Sequence, residues 1–254
     1  MRETGLEPVR WKHTPLKRAR LPIPPLPRTL VLYHIEFEMS IGFLKIFLFF
    51  YIEKILTKLM PLAEEGKVCV FLNIGDHKNI LDTLIKDIPH FSKKANFHAD
   101  NFVVTEAFCT KASYDENLSG IHVFYHKDIF AAVYSTNMLM READVMITKP
   151  SELAFYPVPK MLIRRVGAHE AYGALRSAEI GDGTIECRTY KQALDMLDLL
   201  ITERQNITSM CENILKADKI KIYDGSYEAI KLAVKLSKEE YKKCKKTYTT
   251  KEEA

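Results

Sequence analysis

The stretch from Ala143 to Thr184, ADVMITKPSELAFYPVPKMLIRRVGAHEAYGALRSAEIGDGT, decides how the rest of the chain is read. Val145-Met146-Ile147-Thr148 has the length and β-branched content of a buried strand. Lys149-Pro150-Ser151-Glu152 turns that strand toward a helix, because the residue before a proline is pushed to extended backbone. Leu153 to Phe155 then supply one helical turn, closed by Pro157 and Pro159. Lys160 to Arg164 is a second apolar run and reads as the next strand. Ala168 to Ile180 carries helical spacing through Ala171, Ala174, Leu175 and Ala178, stopped by Gly181 and Gly183. The unit is strand, short helix, strand, helix.

Its polar residues collect where strands give way to helices. In an open parallel sheet, ligands bind outside the carboxyl ends of the strands, where helix N-termini offer unpaired N–H groups. Lys149, Ser151, Glu152, Arg164, Arg165, Gly167, His169 and Glu170 are the candidates at that rim. Arginine and lysine match phosphate charge, and carboxylates accept hydrogen bonds from sugar hydroxyls. The set suits a ligand bearing both groups. Surface salt bridges would use the same residue types, and that reading stands beside the first.

Working upstream, Gly66 to His77 (GKVCVFLNIGDH) reads as the first strand of the domain, ending in a glycine turn. Asn79 to Asp87 follows as a helix with Ile80, Leu81, Leu84 and Ile88 on one face. Gly75, Asp76 and His77 are further site candidates; His77 is the one candidate general acid or base, and Asp76 a candidate helix cap. Phe102 to Thr105 reads as a strand, as does Gly120 to Tyr125, and Lys127 to Glu142 as a helix capped by Asp128. Downstream, Ile185 to Arg188 suggests a short edge strand, and helices are expected over Tyr190–Glu203, Ile207–Ala217 and Tyr227–Glu240.

Composition sets outer bounds. The chain of 254 residues is 47% hydrophobic and 28% charged, enough to bury a core. Its net charge of +4 comes largely from the two ends, which argues against a nucleic-acid surface. Five cysteines without paired spacing suit a reducing compartment, so a cytoplasmic location is expected. His122 and His126 stand four apart with no third ligand nearby, and no metal site is expected.

Residues 1–38 are basic and proline-rich early on and read as a disordered extension. The proline-rich part is either a ligand for an aromatic groove or a non-native peptide, which it resembles, translated from a structural-RNA gene upstream. In the second case the natural start lies at Met39 or elsewhere, or the frame is broken. Residues 39–62 read as an apolar helix, within which Ile41–Met60 has three readings: packed on the domain, lying in a membrane interface, or left from a missing domain. Residues 63–240 form the main domain, and 241–254 a charged tail.

The segment Ala143–Thr184 resembles the donor-binding half of GT-B glycosyltransferases, which carry two Rossmann-like domains. The similarity is to the monogalactosyldiacylglycerol synthases and the N-acetylglucosaminyltransferase that forms lipid II. Ala143–Lys149 is similar to the family's first strand, Glu152 stands at its ribose-binding glutamate, and Val158-Pro159 is similar to its Gly-x-Pro. Gly167-Ala168-His169-Glu170 looks like its Gly-Gln-Glu motif with histidine for glutamine, and Gly181-Asp182-Gly183 like its closing turn. The glycine-rich loop is shortened to Pro150-Ser151. The resemblance implies an α/β fold, a Rossmann-like parallel sheet with helices on both faces, behind an irregular N-terminal extension. It implies a UDP-sugar donor, no cofactor, hexosyl transfer to a lipid or glycan acceptor, and an acceptor domain that the chain lacks. The alternatives are a non-catalytic module that kept the fold, or a relative of the sugar-nucleotide epimerases.

Overall fold

The structure, a computed structural model, describes residues 28–33, 42–112, 114–115, 117–150, 154 and 156–252. For residues 28–50 and 240–252 it describes the backbone only. Six parallel strands form one sheet: β1 (Arg28–Tyr33), β2 (Val68–Gly75), β3 (Ala95–Ala99), β4 (Gly120–Tyr125), β5 (Val145–Thr148) and β6 (Lys160–Leu162). Their spatial order is β3-β4-β2-β1-β5-β6. The helices are α1 (Gly42–Glu64), α2 (Lys78–Asp87), α3 (Phe91–Lys94), α4 (Phe102–Ala112), α5 (Ile129–Arg141), α6 (Ala171–Ile180), α7 (Tyr190–Thr202), α8 (Arg204–Lys219) and α9 (Gly225–Glu252). Short 3-10 turns lie at Ala168–Glu170 and Ile222–Asp224.

Strand β2 shows why both faces carry helices. Val68, Val70, Leu72 and Ile74 enter one apolar cluster with α1, α2 and α7. Cys69 and Phe71, pointing the other way by the two-residue repeat, enter a second cluster with α4 and α5. A strand buried on both faces has no polar alternation to preserve, hence its near-continuous apolar run. The α/β class, the parallel sheet and the helical layers on both sides are as the sequence predicts.

Three local expectations need correction. Arg28–Tyr33, placed above inside the disordered 1–38 segment, is the strand between β2 and β5, its register running from Arg28 opposite Val68 to Tyr33 opposite Asn73. Residues 1–27 and 34–41 lie outside the described residues. Phe102–Thr105 is helical; the edge strand is β3, and α4 starts where the Asn101 carboxamide oxygen accepts the Val104 N–H at 3.2 Å. That local cap outweighs the β preference of two adjacent valines. Asp76 does not cap α2, whose N-cap residue is His77, with no side-chain cap. Asp128 does cap α5, accepting the Ala131 N–H at 2.9 Å.

From Tyr51 onward, the apolar helix packs on the domain, as the first of its three readings expects. Tyr51, Ile52, Ile55, Leu56, Leu59 and Met60 of α1 are buried against the sheet and α7. Among the described residues no helix is long and apolar enough to cross a membrane. Beyond residue 240, within the segment read as a charged tail, α9 continues to Glu252.

A histidine cluster lies within the second apolar layer. His98 Nε2 and His122 Nδ1 are 3.2 Å apart, His122 Nε2 lies 3.1 Å from the Ser119 carbonyl, and the His98 ring stacks on Phe124. Burial, then the neighbouring His122 and His126, push His98 down to about 4, and burial also lowers His122 and His126. Because the folded state binds protons less readily than an unfolded chain with histidines near 6.5, stability is retained above that pH. It is lost as pH falls from about 6.5 through about 4. The expected loss, after discounting for solvent around the half-buried His98, is about 2 kcal/mol. Urea melts across pH 7.5 to 4 measure it, and a His98→Phe variant should flatten the dependence.

Candidate functional site

The carboxyl ends of the six parallel strands define one rim. The chain leaves β1 toward β2 on one side and β5 toward β6 on the other, so the crevice at the ends of β1 and β5 is the topological switch point. Thr148 and Lys149 end β5 there. Among the described residues the buried Thr148 hydroxyl has no hydrogen-bond partner, and Lys149 is 7% exposed.

Lys149 meets the loop after β6. Its ammonium lies 3.4 Å from Glu170 Oε1, both side chains being buried. The other oxygen, Glu170 Oε2, accepts the backbone N–H groups of Val166 at 2.5 Å and Gly167 at 3.2 Å. Glu170 therefore folds the 166–170 loop around its own carboxylate and ties it to the end of β5. A Cβ at Gly167 would stand 2.4 Å from the exposed His169 ring, so a side chain there requires that ring to swing away.

Beside this loop is a cleft of about 470 Å³ lined by Arg164, Arg165, Val166, Gly167, Ala168, Glu186 and Arg188. Glu186 organises it. One of its oxygens accepts the Arg165 N–H at 3.2 Å, and the other lies 3.6 Å from Arg165 Nη1 and 3.5 Å from Arg188 Nε. Three arginines and one glutamate line the cleft, so it is electropositive. Tyr51 of α1 lies within electrostatic range of Arg164, Glu186 and Cys187, and burial raises its phenol to about 12.

The remaining candidates stand farther along the same rim. Gly75, at φ +65°, ends β2, its N–H held by the Asn73 side chain at 3.1 Å. Asp76 Oδ1 and His77 Nδ1 are 3.6 Å apart in the next turn. Strands β2 and β6 are three spacings apart, roughly 14 Å at the usual interstrand distance. The structure therefore brings together Lys149, Arg164, Arg165, Gly167, His169 and Glu170, and holds Gly75, Asp76 and His77 at the far side of the crevice. Ser151 and Glu152 lie outside the described residues. Among the described residues no group of three or more metal-ligating side chains is present.

Sequence reasoning passed over Arg188 and Glu186, because they sit in a segment read only as an edge strand. The parallel bridge between Ile163 and Cys187 brings them to the cleft. Alternation within Ile185–Arg188 was the available signal.

Comparisons with known proteins complete the description. The model of a family described as "Domain of unknown function (DUF6938)" matches residues 49–234. No match is found among the curated proteins. Among solved structures, the S. aureus MnaA–UDP co-structure aligns at a TM-score of 0.42 with 9% identity, covering 80% of this chain and 44% of that one. A putative UDP-N-acetylglucosamine 2-epimerase from Listeria monocytogenes aligns at 0.44 with 12% identity, covering 87% of this chain and 50% of that one. The chain spans about half the length of these two structures.

Proposed function

The chain belongs to the family described as "Domain of unknown function (DUF6938)", and we propose that its carboxyl rim binds a nucleotide sugar, with the diphosphate in the Arg164–Arg165–Arg188 cleft. The observation that carries this reading is the cleft itself: three guanidinium groups beside a loop at the end of a parallel strand. Guanidinium groups recognise phosphate oxygens bidentately, and the rim of a parallel sheet is where such ligands bind. The resemblance of Ala143–Thr184 to the donor half of GT-B enzymes supports the same assignment. It adds UDP as the nucleotide, Glu152 on the ribose, and hexosyl transfer to a lipid or glycan acceptor as the activity of the complete catalytic unit. A cytoplasmic location fits the free thiols of Cys69, Cys109, Cys187 and Cys211.

In that role the arginines would neutralise the diphosphate as it leaves the sugar, and stabilisation of such developing charge is the main electrostatic lever available to a transferase. Lys149 and Glu170 would hold the loop rather than touch the donor. Their mutual burial also favours a second reading, a binding module without catalysis, since it removes two ionisable groups from direct chemistry.

The test is a thermal-shift titration of the full chain with UDP-sugars, UDP and ADP. A ligand at a hundred times its dissociation constant stabilises the folded state by about 2.7 kcal/mol. A saturable shift with a UDP-sugar is expected, and no shift from any nucleotide overturns the reading. Arg164→Ala combined with Arg165→Ala should weaken UDP binding by roughly 1.5–3 kcal/mol for each charge-assisted hydrogen bond removed. Turnover of the bound sugar, followed by UDP release with and without lipid acceptors, separates transferase from binding module.

A further inference from the structure

Glu186 stands in the arginine cleft as a fixed anion, and the ligand assigned to that cleft is itself anionic. The Glu186 side chain is 8% exposed, against 33% for Arg165 and 69% for Arg188. Its Oε1 accepts the backbone N–H of Arg165 at 3.2 Å, which ties the carboxylate to the loop after β6. The backbone beneath is also held. Cys187 is 2% exposed, and its N–H donates to the Leu162 carbonyl at 2.8 Å. A carboxylate anchored in this way stays in the cleft wall when a ligand arrives.

The second oxygen faces the guanidinium groups. Oε2 lies 3.6 Å from Arg165 Nη1 and 3.5 Å from Arg188 Nε, within ion-pair range and longer than a good hydrogen bond. Among the described residues neither guanidinium has another ion pair, so their remaining N–H donors are left for a ligand. A cleft of arginines alone would rank phosphates by charge, the most highly charged binding best. A fixed carboxylate alters that ranking, because it opposes each added negative charge by the same law that attracts it to the arginines.

We propose that Glu186 is a specificity-determining residue, a built-in counter-charge that disfavours a free nucleoside diphosphate relative to the diphosphate diester of a nucleotide sugar. The inference rests on the reading that this cleft takes a diphosphate. A terminal phosphate carries close to two negative charges near neutral pH, and capping it with a sugar leaves one. Repulsion from Glu186 therefore falls more heavily on the free diphosphate, which is what remains after the sugar has left. The carboxylate keeps that product from outcompeting fresh donor for the arginines. A carboxylate that only braced Arg165 and Arg188 would behave differently. Its loss would let the guanidinium groups drift and would weaken both ligands alike.

The test is isothermal titration of the full chain with two probes, UDP and UDP whose terminal phosphate is capped as its methyl ester. The probes differ by about one charge, and the comparison needs no knowledge of the sugar. Glu186→Gln keeps an oxygen that accepts the Arg165 N–H and removes the charge. It should tighten UDP more than the ester, moving the ratio of their dissociation constants at least about threefold toward UDP, since a unit charge a few ångströms away is felt even through water. Arg188→Gln, at a largely exposed side chain, should move the ratio the other way. An unmoved ratio in that variant overturns the proposal by itself, whether or not Glu186→Gln folds. Equal weakening of both probes in Glu186→Gln makes the carboxylate a brace and also overturns it. Failure of both probes to bind the parent chain overturns the diphosphate reading, and this inference with it.

Discussion

Asp182→Ala is expected to destabilise the protein by about 3–5 kcal/mol, the range seen when one partner of a buried ion pair is removed. Asp182 and Lys160 are each 1% exposed, and their charged atoms are 2.6 Å apart. Both groups are fully satisfied. The Lys160 ammonium also donates to the carbonyls of Tyr156 at 2.9 Å and Val158 at 3.2 Å. The Asp182 carboxylate accepts the Ser177 hydroxyl at 2.5 Å and the Tyr223 hydroxyl at 2.9 Å. Burial pulls the Lys160 ammonium below its ordinary range, and the adjacent carboxylate opposes that pull. Removing Asp182 leaves a buried cation with carbonyls alone and strands two hydroxyls. The network joins β6, α6 and the turn before α9, so its loss should unfold those elements together. Urea denaturation of the variant measures the change, and an unfolding midpoint within error of the parent would contradict it. Asp182→Asn should fall between the two, because the carboxamide oxygen still accepts from Ser177 or Tyr223 while the cation loses its charge partner.

That network also shows where sequence reasoning stopped. Gly181-Asp182-Gly183 was legible as a turn, and Gly181 does adopt the left-handed conformation at φ +75° that ends α6. Nothing in the sequence signals that Asp182 turns inward to a lysine 22 residues earlier, because long-range pairing leaves no local period. Strands β2, β4 and β5 were readable because burial on both faces gives apolar runs bounded by turns. Strand β1 was not: six residues directly after a proline-rich segment carry too short a run to separate from their surroundings. The rim candidates were legible as a group, since charged residues at strand ends follow from the repeating strand–helix order. Their individual roles were not, because a glutamate that serves a ligand and one that serves its own loop look alike in sequence.

Glu170 is the clearest case, and Glu170→Ala is expected to cost about 3 kcal/mol, the lower end of the loss for breaking a buried pair. The substitution removes the 3.4 Å contact with Lys149 and the acceptor for two backbone N–H groups, all in a site where Glu170 is 3% exposed. Lys149 would lose this buried carboxylate at the end of β5, and the Val166–Gly167 turn beside the arginine cleft would lose its organising acceptor. Glu170→Gln separates these effects. The amide oxygen can still accept the N–H groups of Val166 and Gly167, so the loop should keep its shape while the charge partner of Lys149 is lost. A positioning role predicts that nucleotide affinity in Glu170→Gln stays near the parent value while urea stability drops. A direct sugar contact, as the resemblance to the Gly-Gln-Glu motif implies, predicts the reverse: affinity falls with the charge and stability changes less. Measuring both quantities on the one variant therefore distinguishes a carboxylate that builds the site from one that binds within it. The geometry favours the first, because both oxygens of Glu170 already have partners within the protein.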